Sequence, residues 1–144
     1  MRARLNPGLL IPAWLAVALP AQAACVVDAR PVTFGVVDVS RVTFSTGRIE
    51  ILCEEAVTVA IALSSTAGGQ RRMIGPGDRG LVYELYTDAT YRQVWGDGRG
   101  RGVPVQAAVA AGERRRLTVY GVVPAQPGVP AGRYAAQLVI SITF

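Results

Sequence analysis

The chain has 144 residues, of which 51% are hydrophobic, 17% charged and 7% aromatic, and fifteen arginines against ten acidic residues give a formal charge of +5. This composition excludes a disordered chain and a coiled coil, and the length suits one domain. Because histidine is absent and cysteine occurs only twice, imidazole catalysis, histidine-ligated zinc and a four-thiolate metal site are excluded, so we expect no enzyme and no cofactor.

The first 23 residues have the pattern of a secretory signal peptide. Two arginines lie near the start, an apolar run of eleven residues covers 9–19, and Ala21-Gln22-Ala23 has the small-x-small pattern that signal peptidase cleaves. The run is well short of the ~20 residues that span a bilayer. We expect a signal peptide over 1–23 and an exported domain over 24–144, which passes through the periplasm to the cell surface or is secreted, with no membrane span.

The two cysteines, Cys25 and Cys53, favour one disulfide, because their number is even and the chain is predicted to be exported. Closing this loop would stabilise the fold by roughly 3–4 kcal/mol in the chain-entropy model. The alternatives are two free buried thiols, or a lipid on Cys25. Gln22 argues against the lipid, because a lipoprotein signal has an apolar residue at that position.

Removal of the signal peptide leaves thirteen arginines against ten acidic residues, a formal charge of +3. The arginines are spread along the chain, so this is an ordinary solubility charge. We expect no nucleic-acid partner.

Alternating apolar residues predict strands along most of the mature chain. The period of two occurs in the runs 48–53, 57–63, 81–85, 117–119 and 134–144. Turn segments rich in glycine and proline separate these runs. The pattern predicts an all-β fold in a single domain, a β-sandwich or a barrel, of which an antiparallel sandwich is the preferred interpretation.

The glycine-rich stretch 95–102 contains Arg99 and Arg101 and could hold a phosphate or sulfate. It lacks the lysine and the strand-to-helix context of a phosphate-binding loop. We therefore interpret it as a hairpin turn with solvated arginines. A small periplasmic anion-binding protein stays open as an alternative function.

Two further clusters have a functional and a structural interpretation. Arg114-Arg115-Arg116 could bind an acidic surface, but a charged strand start that discourages edge pairing is the preferred interpretation. The tyrosines of 83–91 and Trp95 could stack on a sugar or a base, and packing in the core and in a hairpin is preferred.

Two blocks, 81–88 and 94–98, form a signature whose members are Tyr83, Leu85, Tyr86, Asp88, Trp95, Gly96, Asp97 and Gly98. Together with Phe34-Gly35, the stretch 47–53 around the second cysteine and the stretch 130–134, they make the chain resemble the spore coat protein U domain family. The resemblance covers essentially the whole mature chain. This family includes subunits of archaic chaperone–usher pili.

The resemblance implies an immunoglobulin-like sandwich that is one strand short. A periplasmic chaperone would lend a strand to the open groove, and an outer-membrane usher would exchange it for the N-terminal extension of a neighbouring subunit. The groove would lie between the first strand, around 32–34, and the last strand, 134–144. Its expected residues are Val32, Phe34, Leu138, Ile140, Ile142 and Phe144.

The implied function is a structural and adhesive subunit of a surface pilus, active in cell adhesion and biofilm formation. Its partners would be the chaperone, the usher and other pilus subunits. A self-contained secreted envelope or coat-like protein is the main alternative.

The sequence departs from the family pattern at two places. Ala136 stands where members usually carry an aspartate. After the predicted cleavage, at most one residue precedes Cys25, where polymerising subunits carry about a dozen alternating residues. We therefore expect a subunit that accepts a donor strand and does not supply one, at a pilus tip or outside a pilus.

Overall fold

The described part of the chain consists of β-strands, turns and irregular segments. A computed structural model describes residues 24–65, 69–77 and 80–144, and the predicted signal peptide lies outside them. Nine strands and no helix occur within these ranges, which confirms the all-β prediction. The strands are β1 (Cys25–Arg30), β2 (Thr43–Cys53), β3 (Val57–Ser65), β4 (Arg72–Met73), β5 (Leu81–Val82), β6 (Glu84–Tyr86), β7 (Val105–Val109), β8 (Arg114–Val123) and β9 (Leu138–Thr143).

Two antiparallel sheets enclose one core. The first sheet has the order β1–β2–β8–β6 and the second has the order β7–β3–β9, while β4 and β5 form a small separate pair. Buried side chains from both large sheets belong to a single apolar cluster. The arrangement is the predicted antiparallel sandwich.

Alternation along β2 and β3 places the core where the sequence pattern predicts it. Ile49 and Ile51 of the first sheet and Val59 and Ile61 of the second are each at most 2% exposed. Burying each of these side chains contributes roughly 1.5–3 kcal/mol. The period of two therefore identifies the inner face of both strands correctly.

The predicted disulfide joins Cys25 to Cys53. The two residues are direct partners in the register of β1 and β2. The bond therefore fastens the start of the edge strand β1 to the end of the central strand β2. It excludes the alternative of two free thiols.

The expected first strand around 32–34 differs from the structure, because β1 ends at Arg30 and residues 31–39 are not a strand. Pro31 has no backbone N–H to continue the ladder. Residues 31–39, which we call the crossing segment, leave the sheet edge and run over its inner face. There Val32 and Phe34 pack against the core, and the Ser45 hydroxyl donates a 2.6 Å hydrogen bond to the Thr33 carbonyl.

Glycines in β2 and β8 make room for the crossing segment. A Cβ at Gly47 would lie 2.8 Å from the Arg30 carbonyl oxygen and 2.8 Å from Val32 Cγ2. A Cβ at Gly121 would lie 2.7 Å from Val32 Cγ1 and 2.8 Å from Phe34 Cζ. The two glycines thus fix the position at which the segment crosses the sheet.

Gly47→Ala is expected to lower the free energy of unfolding by about 1–3 kcal/mol, because the added methyl group meets a backbone oxygen that cannot rotate away. The measurement is the midpoint of urea denaturation. Gly100→Ala is the matched control, since a Cβ there meets nothing within 4 Å. Equal midpoints for the two variants would contradict the close contact.

The last strand is shorter than the run 134–144 predicts, because β9 begins at Leu138. Before it, Ala135 forms an isolated bridge with Ile74. The Tyr134 hydroxyl is 3.1 Å from the Pro76 carbonyl oxygen and 2.6 Å from that of Pro130. These contacts hold the residues that precede β9 against neighbouring loops, outside the sheet.

Candidate functional site

A largely apolar cavity of about 840 Å³ opens between the crossing segment and the stretch 129–138. Met73, Leu81, Tyr83 and Leu85 also line it. Tyr83 is 6% exposed, and burial raises the pKa of its phenol. Hydrophobic side chains of the sandwich interior are therefore accessible to a molecule that binds in this cavity.

Three of the six expected groove residues line this cavity, namely Val32, Phe34 and Leu138. Of the other three, Ile140 and Ile142 lie farther along β9 and Phe144 directly follows it, and none of them lines the cavity. Ile140 and Ile142 are half-buried and pack against the core, while Phe144 is 63% exposed.

One edge of β9 has no partner strand among the described residues. β9 pairs with β3 through the register Ser65↔Leu138 to Ala60↔Thr143 and is the last strand of its sheet. Its inward residues are only half-buried, whereas Val59, Ile61 and Leu63 on the inward face of β3 are fully buried. An unpaired edge next to a poorly covered apolar face is a site at which another strand can pair.

The signature residues are mostly structural. Leu85 and Trp95 are each 1% exposed, and the Trp95 indole N–H donates a 2.9 Å hydrogen bond to the Ile61 carbonyl in the second sheet. At Gly96 an added Cβ would lie 1.6 Å from the Arg101 carbonyl oxygen, so only glycine fits. Of the eight signature residues, only Tyr83 and Leu85 line the cavity.

The two signature aspartates shape turns. Oδ1 of Asp88 accepts hydrogen bonds from the hydroxyl and the backbone N–H of Thr90, at 2.8 and 2.9 Å, and from the N–H of Arg92. These bonds, led by the Thr90 hydroxyl, lower the pKa of Asp88. Asp97 accepts from the backbone N–H of Arg99 at 2.9 Å. Both carboxylates thus stabilise the turns in which they lie.

A buried ion network lies behind the signature, and the sequence pattern does not predict it. Glu84 accepts hydrogen bonds from the Nε atoms of Arg71, at 3.0 Å, and of Arg101. Arg71 also donates to the carbonyl oxygens of Leu63 and Trp95, at 3.1 and 2.6 Å. The only sequence signal was a lone glutamate inside the apolar run 81–86.

The glycine-rich stretch differs from the expected hairpin with solvated arginines. It closes through a parallel bridge between Trp95 and Val103, and the Arg101 side chain is half-exposed and paired with Glu84. A small cavity of about 230 Å³ beside it is lined by Arg71, Arg99 and Arg101 among others. Glu84 pairs with two of these three arginines and Asp97 also lines the cavity, so two carboxylates offset most of the positive charge that an anion would need.

The three consecutive arginines lie at the start of β8, where β6 does not reach. β6 pairs only with residues 120–122, so this part of β8 has one edge without a partner strand in the described ranges. Arg114 and Arg116 lie 3.2 and 3.1 Å from the carboxylate oxygens of Glu50 on β2. Arg114 and Arg116 therefore pair with a residue of the neighbouring strand β2, and they also lie at a strand edge that has no partner in the described ranges.

No helix in the described ranges is long and apolar enough to cross a membrane. Within the same ranges, no group of three His, Cys, Asp or Glu side chains could hold a metal ion.

Comparison with known proteins agrees with the architecture. The family model of the Spore Coat Protein U domain matches residues 11–141. Protein U of Myxococcus xanthus is 33% identical over 111 residues, which are 70% of this chain and 60% of that protein.

Among solved structures, the chain is similar to the crystal structure of the chaperone–tip adhesion subunit pre-assembly complex CsuC–CsuE, from the archaic chaperone–usher Csu pili of Acinetobacter baumannii. The TM-score is 0.60 at 18% identity, over 85% of this chain and 40% of the matched chain. This likeness shows an immunoglobulin-like antiparallel fold. The chain spans less than two thirds of the length of either relative. On the family match, the chain belongs to the spore coat protein U domain family.

Proposed function

We propose that the protein is a structural and adhesive subunit of a chaperone–usher surface pilus and that it accepts a donor strand from another subunit. The observation that carries this proposal is the apolar cavity beside the unpaired edge of β9. A donor strand would add its backbone to that edge and place alternate side chains in the cavity. The partners would be a periplasmic chaperone, which fills the groove first, an outer-membrane usher and other subunits.

The volume of the cavity would also allow a small apolar ligand to bind, since cavities of this volume hold small molecules in many proteins. A small ligand, however, would not use the free backbone groups of β9, whereas a strand uses both the backbone edge and the cavity. The six residues of β9 would offer an edge about 20 Å long. Strand addition accounts for both features.

The self-contained envelope protein is the second candidate function. A complete sandwich would cover the inward face of β9, but Leu138, Ile140 and Ile142 are only half-buried. Export through a signal peptide over 1–23 and a place at the fibre tip are further parts of the proposal. The tip position is supported by likeness to a complex that contains a tip adhesion subunit.

Co-expression in the periplasm with the chaperone of its own assembly system is expected to yield a one-to-one complex and to raise the soluble yield. Leu138→Asp is expected to abolish the complex, because the charge would enter the apolar cavity. Val139→Asp is the matched control, since Val139 is the next residue along β9 and is 45% exposed. A fully soluble, cooperatively folding monomer without any chaperone would overturn the proposal.

A further inference from the structure

The outer face of the first sheet carries a cluster of four aromatic rings, which we call the outer aromatic cluster: Phe44, Tyr86, Tyr91 and Tyr120. The Tyr91 ring centroid is 5.0 Å from that of Phe44, 5.6 Å from that of Tyr86 and 6.2 Å from that of Tyr120. Phe44 is 57% exposed and the tyrosines are half-buried. Within the described ranges no protein group hydrogen-bonds to any of the three phenol hydroxyls.

Tyr91 is held over the sheet in a costly backbone conformation. Its φ is 55°, and it is the one non-glycine residue in the described ranges with a positive φ. A bulky side chain rarely adopts this conformation unless the surrounding structure imposes it. Here the turn closed by Asp88 imposes it, since the Tyr91 N–H donates to the Asp88 carbonyl at 3.2 Å. The fold thus maintains local strain to place one ring at the centre of an exposed cluster.

Arginines continue the same face toward the other end of the sheet. We call Arg30, Arg48, Arg114 and Arg116 the outer arginine band. In the register of the sheet, Arg30 pairs with Arg48 and Arg48 with Thr118, while Glu50 pairs with Arg116. Arg48 is also a diagonal neighbour of Tyr120 across β2 and β8, a separation of about 7–8 Å. The aromatic cluster and the arginine band are therefore adjacent.

The band keeps a positive charge after its internal pairing. Glu50 contacts Arg48, Arg114 and Arg116 at 2.9, 3.2 and 3.1 Å. Burial raises the pKa of Glu50, but the Arg114 hydrogen bond and the three positive charges outweigh this and lower its pKa overall. One carboxylate cannot occupy all the donors of three guanidinium groups. Arg30 is exposed and has no ion-pair partner among the described residues.

We propose that this outer face binds an anionic polysaccharide of the polyuronate class. The aromatic rings would stack on the apolar faces of sugar rings, the free phenol hydroxyls would bond to sugar hydroxyls, and the arginines would bind uronate carboxylates. From Val122 to Arg114 the face runs eight residues along β8, about 27 Å, which accommodates several sugar units. A nucleic acid fits less well, because its affinity comes mainly from neutralising many successive phosphates, and the band offers only four arginines, three of which share Glu50.

The proposal is independent of the donor-strand groove. No member of the aromatic cluster or the arginine band lines the 840 Å³ cavity, which opens on the inner side of the sheet. A strand in the groove would leave the outer face accessible.

The test is calorimetric titration of hexagalacturonate into the full exported chain, purified with its chaperone, at low salt. Binding is expected, and it should weaken as salt is added. Tyr91→Asn should weaken binding about tenfold, and it is expected to fold, because asparagine tolerates the positive φ. Arg30→Gln should weaken binding about threefold and reduce the salt dependence, whereas Arg133→Gln, at an exposed arginine outside the band, should change neither.

Fully methyl-esterified hexagalacturonate and a short oligothymidylate serve as competing probes on the same preparation. The ester should bind about tenfold more weakly, because it keeps the sugar rings and loses the charges. Absence of hexagalacturonate binding would overturn the proposal, as would equal binding of the ester. Tighter binding of the oligothymidylate would overturn it in favour of a nucleic-acid surface. A melting curve for each variant shows that lost binding is not lost folding.

Discussion

Glu84→Gln is expected to lower the free energy of unfolding by about 3–5 kcal/mol, because it leaves the charge of Arg71 in the interior without a counterion. Arg71 is 3% exposed and Glu84 is 7% exposed, so water cannot replace the lost carboxylate. For a domain of this size, the loss corresponds to a fall in melting temperature of roughly 10–20 °C.

Arg101→Gln is the matched control, because it removes the other arginine that Glu84 binds. The Arg101 side chain is 48% exposed, so its removal should cost no more than about 1 kcal/mol. Thermal melts of the wild type and both variants, in the same buffer and with the disulfide intact, provide the comparison. If Glu84→Gln costs no more than Arg101→Gln, the network does not stabilise the fold as described.

The network explains why Glu84 lies among the aromatic and apolar residues of the block 81–88. Arg71 donates to the carbonyl of Leu63 at the end of β3 and to the carbonyl of Trp95, while Glu84 lies on β6. One guanidinium therefore connects both large sheets with the Trp95 loop. Apart from Tyr86, which belongs to the outer aromatic cluster, the signature residues therefore form a structural framework, in which Tyr83 and Leu85 supply part of the cavity wall.

Alternation predicts the inner faces of β2 and β3, because the face on which a strand residue lies follows from its position within that strand. The crossing segment could not be predicted in this way. Val32 and Phe34 alternate like strand residues, but their position depends on the space left by Gly47 and Gly121 on two other strands.

The same limit applies to the charges. Glu84 lies on the outward-facing side of β6, in register with Val122, where an alternating pattern predicts a solvated side chain. Loops that are distant in sequence cover it and bring Arg71 and Arg101 to it. The contacts of Arg114 and Arg116 with Glu50 likewise depend on the pairing of β2 with β8, which local patterns do not contain.

A peptide with alternating apolar residues, copied from the N-terminal extension of a polymerising subunit, is expected to raise the melting temperature of the protein. At a peptide concentration 1,000 times its Kd, ligand linkage gives about 4.1 kcal/mol. For a domain of this size, that corresponds to a rise on the order of 15 °C. The physical reason is that the peptide binds only the folded chain, where it pairs with β9 and covers the cavity.

Two controls separate strand addition from general hydrophobic binding. A scrambled peptide of the same composition loses the alternation, so it cannot present its apolar side chains to the cavity while its backbone pairs with β9. Leu138→Asp should lose the stabilisation by the true peptide, and Val139→Asp should keep it, because Val139 is exposed on the outward side of β9. Equal stabilisation by both peptides, or by the true peptide in both variants, would show that the cavity beside β9 does not select a strand.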